Sequence, residues 1–323
     1  MTDPVPHWPG RLVSLAGGEQ VYVAETPEIV RDNQQGLVLC VHGMSGAATN
    51  WTDFMAELAP DFDCKAVDLP GSGYSPPPKH KAGYAIKALA DTVLRLVQAL
   101  DRGPVHLVGN SMGGAVCVRA AASRPDLVRT LTLVSPALPD RSLRRQHLEF
   151  PLAALPVVGQ RLMRRFERIP PENRVAGVVA LCYYDQSAVH PERFGLEVAE
   201  LRRRDGLGYA SVTLSREART IVGEYLRPRK YSLWQAAGQI QVPSLVIFGS
   251  QDRLVNPRLA TEAARVFRDA CVIVLPRTGH VAQMEHPALV AARFREMVER
   301  TLPAPGGMPD GAARLTPNDV PST

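Results

Sequence analysis

The chain is 323 residues long, 45% of its residues are hydrophobic, and its formal net charge is +5. This length and composition are typical of a globular protein that buries one large core, with room for an inserted segment. The positive charge is concentrated in residues 141–230, which hold seventeen basic and ten acidic residues. Because no basic strip interleaved with aromatic residues accompanies it, we expect no nucleic-acid partner.

Strand patterns and helix patterns alternate through most of the chain. The first two strands, Arg11–Leu15 and Gln20–Glu25, are predicted to form a hairpin. Further strands are predicted at Leu37–Val41, Cys64–Val67, Val105–Val108, Arg129–Val134, Ser244–Phe248 and Cys271–Leu275, and helices at Trp51–Leu58, Ile86–Leu100, Met112–Ser123, Leu259–Phe267 and Pro287–Thr301. The alternation predicts an α/β fold in which a mostly parallel, eight-stranded sheet is covered by helices on both faces.

One interval interrupts this alternation. The residues between Ser135 and Ser244 have helical character and no convincing strand pattern, which predicts a helical insertion at 137–236. The insertion divides one core into two parts, 1–136 and 237–302. Residues 303–323 are rich in Pro, Gly and Asp, and we expect them to be disordered.

Membrane spans, disulfides and metal sites are not predicted. No apolar stretch approaches the roughly 20 residues that cross a bilayer, and the first residues lack the features of a signal peptide, so we expect a cytoplasmic protein. The histidines show no metal-ligand spacing. Four cysteines lie in apolar runs and are expected to be buried thiols. They are Cys40, Cys64, Cys117 and Cys271.

The segment Gly109-Asn110-Ser111-Met112-Gly113 lies between a β-branched run and an Ala-rich helical stretch. The two glycines leave room for a sharp turn from strand to helix, which holds the serine hydroxyl out of the sheet. A helix beginning at Met112 directs its free N–H groups towards negative charge beside Ser111. This context predicts that Ser111 is a nucleophile. The alternative is a helix N-cap in an inactive protein.

Two polar residues follow later predicted strands. Asp252 comes after Ser244–Phe248, and His280 comes after Cys271–Leu275. The order Ser…Asp…His, together with His42-Gly43-Met44 and the turn from Asp68 to Ser75, resembles the α/β-hydrolase superfamily over nearly the whole chain. The resemblance implies that the insertion at 137–236 is a helical cap, or lid.

The resemblance also implies a catalytic triad and an oxyanion hole. Ser111 would be the nucleophile, His280 the general base and Asp252 the group that orients the imidazole. The backbone N–H groups of Met44 and Met112 would bind the oxyanion. Such chemistry needs no metal and no other cofactor. Five further residues are expected to support the site: His42, Gly43, Gly109, Asn110 and Gly113.

Other residues compete for these roles. His106 lies in an apolar strand and is expected to be a core histidine, and His286 precedes a predicted helix as a capping or surface residue. The Asp68 carboxylate is expected to stabilise its loop. Asp140 is the alternative triad acid. In that case Asp252 would only cap the turn that follows it.

The expected reaction is hydrolysis of a carboxylic ester. A serine nucleophile argues against the dehalogenase and epoxide hydrolase branches, which use Asp. Asn110 before the serine resembles the meta-cleavage-product hydrolases, which break C–C bonds, but those enzymes usually carry Trp where this chain has Val281. The stretch 279–287 is similar to esterase- or lipase-like members. C–C hydrolysis is therefore the second hypothesis, and a slow-turnover, ligand-binding receptor is a third.

We expect an apolar ester or acyl substrate of low molecular weight and no stable membrane insertion. Apolar residues of the insertion either face the catalytic mouth or hold the insertion together; they lie at Leu148, Leu152, Leu155 and 157–163. The arginines there attract an anionic substrate or lipid surface, or are simply solvated. A homodimer is compatible with the sequence.

Overall fold

The computed structural model describes residues 4–27, 36–140, 165–166 and 168–301. Eight strands in these ranges form one sheet, in the order β1-β2-β4-β3-β5-β6-β7-β8. The β1–β2 and β2–β4 pairs are antiparallel and the other pairs are parallel, which confirms the predicted fold class. The strands are β1 (Gly10–Ser14), β2 (Gln20–Glu25), β3 (Leu37–Val41), β4 (Asp63–Val67), β5 (Val105–Asn110), β6 (Val128–Val134), β7 (Ser244–Gly249) and β8 (Ala270–Leu275).

The helices that follow these strands begin and end within two residues of their predicted limits wherever a helix was predicted. None of the helices in the described ranges combines the length and the apolar character needed to cross a bilayer. The helices are α1 (Thr52–Leu58), α2 (Ile86–Leu100), α3 (Met112–Ser123), α4 (Pro171–Cys182), α5 (Pro191–Asp205), α6 (Ala210–Tyr225), α7 (Leu233–Ala237), α8 (Leu259–Val266), α9 (Ala282–Glu285) and α10 (Pro287–Glu299).

Both faces of the sheet are covered. In β3, Leu37, Leu39 and Val41 pack into a core with α2, α3, α7 and α8, whereas Val38 and Cys40 point the other way, into a core with α1 and α10. Alternating side chains of one strand thus enter two different cores, because successive Cβ atoms leave a strand on opposite faces. This explains why the central strands are continuously apolar rather than alternating.

Between β6 and β7 the described chain forms α4, α5 and α6, which we call the intervening helices. The short helix α7 that follows them belongs to the sheet core, because Leu233, Ala236 and Ala237 are buried there. The predicted boundary at residue 236 therefore falls inside α7. The apolar residues predicted at 148–163 and the tail at 303–323 lie outside the described residues, so the division into a core and a cap remains a prediction.

The cysteine prediction was wrong at one position. Cys40, Cys64 and Cys117 are buried thiols, but Cys271 is exposed. Cys271 belongs to β8, the last strand of the sheet, whose side chains are covered incompletely. An apolar run does not reveal whether a strand lies at an edge, so the sequence pattern alone could not separate Cys271 from the others.

Four rings form a cluster between α1, α10 and the sheet. The Phe294 ring on α10 lies 5.2 Å from the ring of Phe62, 5.7 Å from His106 and 6.2 Å from Phe54 in edge-to-face contacts. His106 is fully buried, and its Nδ1 lies 2.8 Å from the Thr130 hydroxyl. The residue is a core histidine.

Replacing Phe294 by Ala removes the ring shared by these contacts. We expect Phe294→Ala to lower the free energy of unfolding by about 3–5 kcal/mol, because a buried cavity remains. Leu289→Ala is the matched control on the same helix, since Leu289 is 39% exposed, and it should cost about 1 kcal/mol or less. Urea unfolding measures both. Equal losses of unfolding free energy in the two variants would show that the ring cluster does not stabilise the fold.

Candidate active site

The candidate site lies at the carboxyl edge of the sheet, where the strand order reverses. β3 pairs with β4 on one side and with β5 on the other, and Val41 is in register with Gly109. The chain after β3 leads to α1 on one face, whereas the chain after β5 leads to α3 on the other face. Such a divergence opens a crevice outside the strand ends, which is where ligands bind in open α/β sheets.

Ser111 occupies the turn between β5 and α3 with φ 53° and ψ −118°. A positive φ is uncommon for a residue other than glycine and is typical of a strained turn. The positions before and after this turn must be glycine, because backbone carbonyl groups approach Gly109 and Gly113 too closely for a Cβ. A Cβ at Gly113 would lie 2.2 Å from the carbonyl oxygen of Val41, and a Cβ at Gly109 would lie 2.6 Å from that of Gly113. The turn therefore tolerates no side chain at either position.

Asp252 and His280 lie side by side after β7 and β8. The imidazole Nδ1 of His280 lies 2.9 Å from Asp252 Oδ2, and both residues are buried. Burial alone would raise the pKa of Asp252, but His280 and the N–H groups of Leu254 and Val255 outweigh it, so the pKa lies below its usual value. Because an ionised carboxylate only accepts, the proton is on Nδ1 and leaves Nε2 free to accept.

Ser111 and His280 line one cavity of about 1070 Å³, together with Gly43 and Met44. A Cβ at Gly43 would lie 3.0 Å from the Cβ of Ser111, so the loop after β3 packs directly against the serine. Met112 opens α3, and its N–H is one of those without an acceptor inside the helix. Within the described ranges no hydrogen bond joins the Ser111 hydroxyl to His280. Such bonds are often long without substrate.

His42 connects two loops and does not face the cavity. Its Nε2 accepts a hydrogen bond from the N–H of Leu69 at 2.9 Å, so Nδ1 carries the proton that it donates to the carbonyl of Gly43 at 2.7 Å. Burial lowers the pKa of His42 to about 4. The imidazole is therefore neutral at physiological pH, and it fixes the start of the loop that carries Met44.

The side chain of Asn110, directly before Ser111, joins two backbone segments. Its side-chain amide Nδ2 donates to the carbonyl of Val134 and to that of His280, each at 3.1 Å. The amide thus ties the end of β6 to the residue that carries the imidazole. This role explains an asparagine at this position without reference to C–C bond chemistry.

Replacing Asn110 by Asp would place a carboxylate against two carbonyl oxygens. We expect Asn110→Asp to lower the free energy of unfolding by about 3 kcal/mol at pH 7.5, because two bonds are lost and a charge is buried. The pKa of the new acid would be raised in the folded state. The penalty should therefore shrink as the pH falls towards about 4, the ordinary value of Asp.

Urea unfolding at pH 7.5 and 5.0 measures this effect. Asn110→Ala is the control, because it loses the same two bonds without adding a titratable group, and its deficit should not change with pH. A pH-independent deficit in Asn110→Asp would contradict the proposed hydrogen-bond geometry.

The competing residues occupy other places. His286 is the residue before α10, and Asp140 accepts a hydrogen bond from the side chain of Asn256 at 3.0 Å. Asp68 accepts from the N–H groups of Ala48 and Tyr74 at 2.6 and 2.8 Å, and burial raises its pKa to about 6. The His280 imidazole contacts the carboxylate of Asp252, which makes Asp252 the candidate triad acid.

Sequence reasoning missed two glutamates next to the site. Glu285 on α9 accepts from the N–H of Gly279 at 2.7 Å, directly before His280. Glu217 on α6 is 2% exposed and accepts from the N–H of Ser45, directly after Met44, at 3.0 Å. A signal existed for Glu217, because it interrupts an apolar helical stripe. The apolar members are Leu214, Ala218, Ile221 and Tyr225.

Burial raises the pKa of Glu217 from its ordinary 4.5 to about 7, while the hydrogen bonds from Ser45 and Ser72 and the charge of Arg204 oppose the rise. The folded state therefore holds this proton more tightly than the unfolded chain does. The contribution of Glu217 to the free energy of unfolding is therefore greatest below pH 4.5 and declines as the pH rises through 7.

The variant Glu217→Gln lacks this titration. Between pH 4.5 and pH 7.5 we expect the wild type to lose about 2–3 kcal/mol of unfolding free energy relative to Glu217→Gln, as the shift in pKa requires. Urea unfolding across this range measures the difference. Parallel curves for the two proteins would show that Glu217 titrates normally.

The intervening helices α4, α5 and α6 line the cavity with many apolar side chains. Its apolar residues include Val175, Val178, Val179, Leu214, Ile221 and Val222. Among the described residues, no group of three or more His, Cys, Asp or Glu side chains is placed to hold a metal ion. The wall offers an apolar ligand a large contact area.

Several arginines between β6 and β7 form ion pairs. Arg174 pairs with Asp205, and Arg193 bridges to Asp53 of α1 at 2.5 Å. Arg202, Arg203, Arg204 and Arg227 also have acidic partners. Six arginines in the described part of this region thus have an acidic partner.

A family model described as "alpha/beta hydrolase fold" matches residues 36–287. Among characterised relatives, the chain is 27% identical over 267 residues to 2-hydroxy-6-oxononadienedioate/2-hydroxy-6-oxononatrienedioate hydrolase of Cupriavidus pinatubonensis, covering 81% of this chain and 84% of that protein. It is 27% identical over 275 residues to pimeloyl-[acyl-carrier protein] methyl ester esterase of Neisseria meningitidis, covering 84% and 79%.

A third relative is longer than this chain. The dihydrolipoyllysine-residue acetyltransferase component of the acetoin cleaving system of Pseudomonas putida is 28% identical over 248 residues, and the match spans 77% of this chain but 59% of that protein. Among solved structures, a thermophilic esterase from Thermogutta terrifontis superimposes with a TM-score of 0.66 and 23% identity, covering 91% of this chain and 99% of that one. At this identity the likeness is one of fold.

Proposed function

Because this chain belongs to the α/β-hydrolase fold family, we propose that it is a serine hydrolase that cleaves carboxylic esters through an acyl-enzyme. One observation carries the proposal. Asp252 Oδ2 lies 2.9 Å from His280 Nδ1, and His280 lines the same cavity as Ser111. The nucleophile and the base thus line one ligand-sized space, and the orienting acid contacts the base.

In the acylation step, Ser111 Oγ attacks the carbonyl carbon of the ester while His280 Nε2 takes the hydroxyl proton. Asp252 stabilises the imidazolium that forms. The carbonyl oxygen becomes an oxyanion and accepts hydrogen bonds from the N–H groups of Met44 and Met112. When the tetrahedral intermediate collapses, the C–O bond to the alcohol breaks and His280 returns the proton to the departing oxygen.

In the deacylation step, a water molecule attacks the acyl-enzyme and His280 takes one of its protons. The bond between the acyl carbon and Ser111 Oγ then breaks, and the proton passes to Oγ. The products are a carboxylic acid and free enzyme, so the cycle needs no cofactor. The same imidazole serves as base and acid in both steps because its Nε2 faces the reacting atoms.

The walls of the cavity support an apolar substrate. Valines of α4 and aliphatic residues of α6 face the space above Ser111, and the volume of about 1070 Å³ exceeds what a short acyl group needs. The arginines nearby are paired with acids, which supports an uncharged acyl chain or ring over an anionic group.

The test is hydrolysis of p-nitrophenyl esters from C2 to C12 by the wild type and by Ser111→Ala. We expect Ser111→Ala to lose at least about 1000-fold in kcat, because removing the nucleophile leaves only binding and the oxyanion hole. The matched control is Ser123→Ala at the other end of α3, whose hydroxyl donates to the carbonyl of Ala120. Its activity should equal that of the wild type. Ester hydrolysis that persists in Ser111→Ala would contradict the proposal.

C–C bond hydrolysis is the second candidate. It is supported by the relative from Cupriavidus pinatubonensis, whose name states hydrolysis of an oxo-dienedioate. A dienone ring-cleavage substrate assayed beside the esters separates the two reactions. Cleavage of the dienone at a kcat/KM far above that of every ester would replace the ester assignment.

A further inference from the structure

Glu217 and Arg204 are charged residues of the intervening helices that contact the loop between β3 and α1. Glu217 belongs to α6 and Arg204 to α5. Both side chains reach the same residue, Ser45, which follows the proposed oxyanion donor Met44. The acyl-transfer steps proposed above use neither charge.

The loop has the geometry of a tight turn. The N–H of Gly46 donates to the carbonyl of Gly43 at 3.1 Å, so Met44 and Ser45 are its two central residues. Ser45 has φ 61°, the positive value that the third residue of a type II turn requires and that glycine adopts more readily than serine. A serine keeps such a conformation only where surrounding contacts hold it.

The contacts that hold Ser45 come from the intervening helices on both sides of the residue. Glu217 Oε2 accepts a hydrogen bond from the Ser45 N–H at 3.0 Å, and Arg204 Nη1 donates to the Ser45 carbonyl at 2.8 Å. Glu217 Oε1 also accepts from the Ser72 hydroxyl at 3.1 Å. Both peptide units of Ser45 are therefore fixed, and the turn that aims the Met44 N–H is fixed with them.

We propose that Glu217 and Arg204 form a clamp that positions the oxyanion turn 43–46, so that catalysis depends on the docking of α5 and α6 over the site. This inference rests on the proposed function, since it assigns a cause to the orientation of the Met44 donor. Glu217 and Arg204 are positioning residues and touch no reacting atom in this mechanism. A side chain from outside the sheet core thus completes the catalytic machinery.

The test compares Glu217→Ala, Glu217→Gln and Glu224→Ala with the wild type. Glu224 is a matched control, because it lies on the same helix, is 3% exposed and pairs with Arg119 of α3 at 3.1 Å without contacting the turn. The Gln side chain retains an oxygen that accepts from the Ser45 N–H and an amide that donates to the Ser72 hydroxyl. Glu217→Gln therefore keeps the hydrogen-bonding capacity of this side chain and removes its charge.

Two readouts are needed. The first is hydrolysis of p-nitrophenyl butyrate, where Glu217→Ala should lower kcat about 10- to 100-fold with little change in KM, because a misaligned donor weakens the transition state alone. Glu217→Gln should recover to within about 5-fold of the wild type. Glu224→Ala should keep its kcat even where its melting temperature falls as far as that of Glu217→Ala.

The second readout is hydrogen–deuterium exchange of the peptide covering residues 43–47, which does not depend on turnover. Exchange should be at least about 10-fold faster in Glu217→Ala than in the wild type and Glu224→Ala, since the Ser45 N–H loses its acceptor. Equal exchange in Glu217→Ala and Glu224→Ala overturns the clamp, and so does an equal loss of kcat.

Different results would refute the proposed function and the clamp. Wild-type protein without Ser111-dependent hydrolysis of any ester overturns the ester assignment, whatever the exchange data show. Active wild-type protein in which Glu217→Ala retains full kcat leaves the serine hydrolase assignment standing and overturns the positioning role of Glu217.

Discussion

The parallel pairing of β3 with β5 is the constraint on which the candidate site depends. Their register, with Val41 beside Gly109, ends both strands at the same level. The two chains then leave towards opposite faces of the sheet, and Ser111 and the turn 43–46 meet in the gap between them. Backbones approach so closely there that Gly113 would have no room for a Cβ beside the Val41 carbonyl. The glycine at position 113 is thus a consequence of strand pairing.

Buried polar groups connect the loops at this edge. His42 joins its own loop to Leu69, Asp68 joins the following turn to Ala48, and Asn110 joins β6 to His280. Each of these groups is buried and has hydrogen-bond partners, as burial of a polar atom demands. Four loops from distant parts of the chain are thereby held in one arrangement. The proposed triad uses this rigidity, because proton transfer requires fixed distances.

The charges of the intervening helices serve contacts within the protein. Arg193 pairs with Asp53 of α1, Arg119 of α3 pairs with Glu224 of α6, and Arg203 lies over the ring of Tyr74, 4.1 Å from its centroid. These contacts bind the intervening helices to the sheet core on several sides. The clamp on Ser45 belongs to the same set of contacts.

The sequence by itself determined the fold class, the limits of most strands and helices, and the positions of Ser111, Asp252 and His280 at strand ends. These features are local, because a period of two or 3.6 residues, a glycine pair and the order of motifs are all visible along the chain. Only the tertiary structure decided that the His280 imidazole contacts Asp252, that Asn110 bridges two backbones and that Cys271 is exposed. It also revealed Glu217 beside Ser45, 172 positions away. Contacts at such separations follow from how helices dock on the sheet, and a local pattern contains no information about docking.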